Sequence, residues 1–173
     1  TCKEEARRLT ALVDGELEQL ERLLNAYSRH YDIKRDVQTE GGFFPAEAVF
    51  YLRDEHYLVR RDKRFYAVEQ HEYAYFHTTQ ALDAEALQIL IDRSLQAGRA
   101  EVKPHKEHMC SFVTLVVLAE TMTPEARKLL KRTRFRKNFR FALHGFMEYR
   151  AAVVELSAGR VESSPAGREV RKS

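Results

Sequence analysis

A chain of 173 residues, 44% hydrophobic and 32% charged, fits one globular domain, being too apolar to stay disordered and too interrupted to be fibrous. Its 29 basic and 26 acidic residues leave a net charge of +3, an excess that by itself points to no nucleic-acid partner. The longest apolar run, Phe112 to Ala119 around Thr114, falls far short of the roughly 18 residues a membrane-spanning helix needs, and Cys2 and Cys110 are too few for a disulfide framework, so a cytoplasmic protein without a membrane partner is expected.

From Lys3 to about His30 the residues Leu9, Val13, Leu17, Leu20, Leu24 and Tyr27 recur at three- and four-residue steps. That spacing predicts a long amphipathic helix over residues 1–31, docked on the domain's own sheet or paired with its copy in a homodimer. Gly41, Gly42, Phe43, Phe44 and Pro45 break the periodicity and read as a loop. A three-stranded segment over 47–78 follows: Val49 to Arg53 and His56 to Arg61 as a hairpin about Asp54 and Glu55, a turn at Asp62 and Lys63, and a third strand from Phe65 to Thr78.

Asp83 reads as the N-cap of a helix to Gly98, with Leu87, Leu90, Ile91 and Leu95 on its buried face. Ser111 to Ala119 is apolar on both alternating faces, the pattern of a central strand covered on both sides. Thr123 before Pro124 and Glu125 caps a short helix to about Arg132. Phe135 to Leu143 and Met147 to Leu156 are the last two strands, completing a segment over 111–156, and residues 163–173 are expected to be a mobile tail. The fold class is therefore α+β: a mostly antiparallel or mixed sheet of about six strands, with a long N-terminal helix and two further helices packed on it, in a single domain.

Three groups of residues could carry chemistry. Alternation along the third strand sends Glu69, His71, Tyr73, Tyr75 and His77 to one face and Glu72 to the other; a carboxylate beside imidazoles suits a general base or a metal. A half-exposed face of cross-strand aromatic pairs explains the same composition. The second group, Lys103, His105 and His108 before the most buried strand, resembles half of a metal site; His71, His105 and His108 are the candidate ligands of a divalent metal, with no other cofactor indicated. The flanking lysines argue for an anion instead.

The third is the run from Lys128 to Arg140. On a strand from Phe135 to Leu143, the residues Arg134, Arg136, Arg140 and His144 share the outer face. Guanidinium forks suit phosphate or carboxylate, so an anionic small molecule, a nucleic acid or an acidic protein is the expected partner. A charged edge strand that resists pairing with other chains accounts for the run equally well.

The order helix, three strands, helix, strand is shared by the restriction-endonuclease-like nucleases. In that mapping Asp62 is the acidic ligand, and Glu69 with His71 stands where that family has Glu-x-Lys; the lysine is missing and the spacing from Asp62 is short. The segments HEYAYF (71–76), KPHKEHMCSFVTLVVLA (103–119) and FALHGFMEYRAAVVEL (141–156) resemble an uncharacterised bacterial protein family, from about residue 47 to the tail. A tryptophan often stands in that family where this chain has Phe146. The resemblance implies a cytoplasmic protein and supplies no catalytic residues. The reading is a binding domain for an anionic ligand through His71, Glu72, Lys103, His105, His108, Arg134, Arg136, Arg140 and His144. Its alternatives are a metal-dependent hydrolase or nuclease-like enzyme and a helix-mediated dimer.

Overall fold

The computed structural model describes residues 2–58, 65–105, 108–141 and 143–168; within these, side chains are described except at 2–14, 54–58, 65–68 and 109. Helix α1 spans Cys2–Tyr27, followed by strands β1 (Asp32–Thr39), β2 (Gly42–Leu58) and β3 (Phe65–Leu82). Helix α2 (Ala84–Glu101), strand β4 (His108–Met122) and helix α3 (Pro124–Arg132) come next. Strands β5 (Arg136–Asn138), β6 (Phe146–Glu155) and β7 (Arg160–Ser163) and a 3-10 turn at Pro165–Arg168 close the described chain.

The strands form one seven-stranded mixed sheet in the order β1-β2-β3-β4-β6-β5, with β7 also on β6. β1, β2 and β3 are antiparallel neighbours, whereas β4 runs parallel to both β3 and β6. Parallel neighbours need crossovers, and α2 and α3 supply them. Both lie on one face, where Leu87, Leu90, Ile91, Ala126 and Leu130 pack on Tyr75, Val113, Leu115, Val117, Tyr149 and Val153. On the other face Leu20 and Leu24 of α1 pack on Ala46, Ala48, Phe76, Val116 and Leu118. Strand β4 feeds both cores, which is why its run is apolar on both sides. Among the described residues no helix is long and apolar enough to cross a membrane.

The expected fold class is corrected in two respects. The sheet has seven strands, not about six, and the N-terminal helix meets it over a short stretch, through Leu20 and Leu24, rather than as a long helix docked along it. Small residues of the sheet, Ala46, Ala48 and Ala74, receive Leu20 and Leu24, while Leu17 on the same predicted stripe is 49% exposed.

The strand boundaries shift as well. β1 arises from a polar stretch that turns only Ile33, Val37 and Thr39 inward, and the Gly41 to Pro45 segment belongs to β2 rather than to a loop. Pro45, which has no N–H for the ladder, falls where the β1–β2 register skips Asp36, itself at φ 52°. No hairpin forms at Asp54 and Glu55; β2 runs through them with a register shift before Tyr57. The turn at Asp62 and Lys63 lies outside the described residues.

Strand β5 is three residues long, not nine, because the backbone turns at Arg140 and Phe141, with φ of 47° and 53°. Of the tail expected over 163–173, Ser163 closes β7 and Ser164 is buried, its hydroxyl accepting from the Ala151 amide at 3.0 Å, while residues 169–173 lie outside the described residues.

Candidate functional site

Strand register gathers the first polar group. Antiparallel pairing sets Tyr51 opposite His71 and Arg53 opposite Glu69, and parallel pairing sets His108 beside Glu69. The loop after α2 adds His105. Glu69 is the hub, only 7% exposed. Its carboxylate meets His105 Nε2 at 2.7 Å and His71 Nε2 at 3.5 Å, and it accepts from Arg53 Nη1 at 3.1 Å and Tyr51 Oη at 3.2 Å. Burial pushes the Glu69 carboxyl up, but the charge of His105 and the hydrogen bonds from Tyr51, His105 and His71 outweigh it and hold the group below the usual carboxylate range. The His71 ring stacks between Tyr73 and His108, with centroids 6.1 Å from each. A half-exposed imidazole oriented by a charged carboxylate, as His105 is here, can accept and pass on a proton.

His108 is placed differently. Its Nδ1 lies 2.7 Å from the His144 carbonyl and its Nε2 lies 2.7 Å from Ser111 Oγ. A carbonyl can only accept, so Nδ1 carries the proton and Nε2 accepts from the serine. A hydroxyl activated by an imidazole is a nucleophile's arrangement. Here, however, Ser111 is 1% and His108 4% exposed, so no substrate reaches them. The group is a tie between β4 and the turn before β6, and burial holds the His108 imidazolium below its ordinary range.

The remaining predicted site residues do not join one face. Glu72 lies on the α1 side of the sheet, accepting from Tyr31 Oη at 2.6 Å and Thr114 Oγ1 at 2.9 Å. Lys103 is exposed in the loop after α2, Arg140 sits in the β5–β6 turn, and His144 contributes its carbonyl to His108. Arg134 and Arg136 come together on the rim of a hollow of about 440 Å³, with Phe135, Glu148, Pro165 and Ala166. Arg136 is held there, its guanidinium carbon 3.9 Å from the Phe146 ring centroid.

Among the described residues no group of three or more His, Cys, Asp and Glu side chains is arranged to hold a metal. Across from Glu69 stands the Arg53 guanidinium, 3.1 Å from its carboxylate, while Asp62, the other acid of the nuclease mapping, lies outside the described residues. Tyr51 and Arg53 were not among the predicted site residues. The signal for them was present, since alternation along Val49 to Arg53 puts both on one face.

The family model described as a domain of unknown function, DUF8052, matches residues 16–173. The chain belongs to that family. No curated protein and no solved structure matches this DUF8052 domain. The match begins within the stretch of α1 that lies on the sheet and covers both polar groups described above.

Proposed function

We propose that this domain binds an anionic ligand at the hollow beside β5, with Arg134 and Arg136 as its cationic contacts. One observation carries the reading: two guanidinium groups face a hollow of about 440 Å³ that holds a single carboxylate, Glu148. Stacking on Phe146 orders Arg136 before a ligand arrives, so less side-chain freedom is lost on binding. The planar fork then donates two parallel hydrogen bonds to a phosphate or carboxylate. Arg53 and His105 are poorer candidates, because Glu69 already occupies them.

Calorimetric titration with inorganic pyrophosphate and with a short single-stranded oligonucleotide, at about 50 mM and about 200 mM salt, tests the reading. Binding by the wild-type chain that weakens with salt, falls at least about tenfold in Arg136→Glu and survives in His105→Ala is the expected result. Absence of binding to either probe at the lower salt, or equal binding by Arg136→Glu, would refute it.

A further inference from the structure

A second hollow, of about 190 Å³, lies at the opposite end of β3, between that strand and α2. It follows from the topology. Pairing of β2 with β3 ends at Phe76, whereas β3 continues beside β4 to Leu82, and α2 roofs the strand left bare on one side. Leu82, Ala86, Ile89 and Leu90 form an apolar wall, and His77 and Arg93 stand against it.

The two polar side chains are fixed in different ways. Arg93 donates from Nε to the Gly41 carbonyl at 2.9 Å and from Nη2 to the Phe43 carbonyl at 2.7 Å, which pins the guanidinium to the β1–β2 turn and leaves Nη1 over. Gly41 is needed for this seat, because an added Cβ would meet the Arg93 backbone carbonyl. Among the described residues no carboxylate pairs with Arg93. His77 has its Nδ1 enclosed without a hydrogen-bond partner. An enclosed N–H lacking an acceptor costs more than an enclosed lone pair, so the ring proton of this hollow-lining histidine belongs on Nε2.

A cation without a counter-ion, a neighbouring N–H and an apolar wall together describe the complement of one ligand class. We infer that this hollow binds a small monocarboxylic acid, its carboxylate shared by Arg93 Nη1 and His77 Nε2 and its alkyl tail against Leu82, Ala86 and Leu90. A single guanidinium balances a single negative charge and would leave a phosphate dianion half neutralised. The volume is below the roughly 300 to 1,000 Å³ of pockets for drug-sized ligands, and it suits an acid of about four to six carbons. This site is separate from the hollow beside β5 and stands whether or not that one binds an anion.

The test is an amide NMR titration of the full chain with hexanoate, and in parallel with 1-hexanol, up to about 10 mM. Hexanoate should shift amides at 77–82 and 86–93, hexanol should bind at least about tenfold more weakly, and Ala86→Phe, which fills the hollow, should abolish the shifts. Should Ala86→Phe fail to fold, Ile89→Asp at a half-exposed position sets a like charge at the mouth and should weaken hexanoate by about tenfold or more. Equal binding of acid and alcohol, no shift at those amides, or full binding by the folded variants would each overturn the proposal.

Discussion

At the scale of single residues, His108 shows how a side chain with the composition of a site becomes a structural tie. In the neutral form both ring nitrogens are satisfied, one donating to the His144 carbonyl and the other accepting from Ser111. Protonation would make the Ser111 hydroxyl turn and accept instead of donate, and would place a charge on a ring that is cut off from water. Burial therefore lowers the His108 pKa, with the charges of His71 and His105 adding to it, and His77 shifts in the same direction through its burial and Arg93. An unfolded histidine takes up its proton near 6.5 while these two resist, so below that pH the unfolded chain binds more protons. Stability should thus fall as the pH drops from about 7 to about 5, by at most about 1.4 kcal/mol per pH unit for each histidine. The depressed Glu69 pKa acts lower, its contribution being lost as the pH falls below 4.5 and through the folded value. In His108→Asn the amide N–H can still donate to the His144 carbonyl, but the titrating group is gone. Urea midpoints measured across this range should show a shallower pH slope for the variant, and an unchanged slope would mean that His108 titrates normally in the folded chain.

At the scale of elements, Gly98 separates two explanations that look alike in sequence. Its place near the end of an apolar stripe predicts a helix stop, yet α2 continues to Glu101, and the backbone at Gly98 is helical. The structure gives another reason for the missing side chain: a Cβ there would lie 2.4 Å from both methyl groups of Val113 on β4. Helix propensity alone favours Gly98→Ala by about 1 kcal/mol. Overpacking against a central strand costs about 1 to 3 kcal/mol, and at 2.4 Å from a β-branched side chain the second effect wins. Gly98→Ala should lower the thermal midpoint, and Val113→Ala in the same chain should cancel part of the loss. A Gly98→Ala protein more stable than wild type would show that α2 moves freely over β4. The cap at Asp83, which accepts from the Ala86 amide at 2.7 Å, was readable because its donors are local. The contact at Gly98 was not, because it depends on a partner 15 residues away across the crossover.

For the whole molecule, the sequence was informative where one residue pattern admits one environment and uninformative where partners decide. Ser111 to Ala119 read as a central strand because a strand covered on both faces is apolar on both alternations, here interrupted only by Ser111 and Thr114. β1 did not, since an edge strand needs few inward apolar residues, and DIKRDVQT supplies Ile33 and Val37 alone. Glu69, His71, His105 and His108 were legible as candidates, but their convergence depends on the parallel register of β3 with β4, which no local spacing encodes. The same strand couples the two cores, giving Val113, Leu115 and Val117 to the α2 and α3 face and Val116 and Leu118 to the α1 face. Sheet and helices on both faces should then unfold together, because neither core can lose its packing without exposing β4. Leu24 is 1% exposed on the α1 face, and Leu24→Ala should cost about 2 to 5 kcal/mol by leaving a cavity against Ala48 and Phe76. The loss should appear as one cooperative transition shifted to lower temperature, with far-ultraviolet circular dichroism and tyrosine fluorescence coincident, as for Leu115→Ala in the other core. An early melting step confined to helix signal in Leu24→Ala would mean that α1 is held independently and that the shared strand does not join the layers.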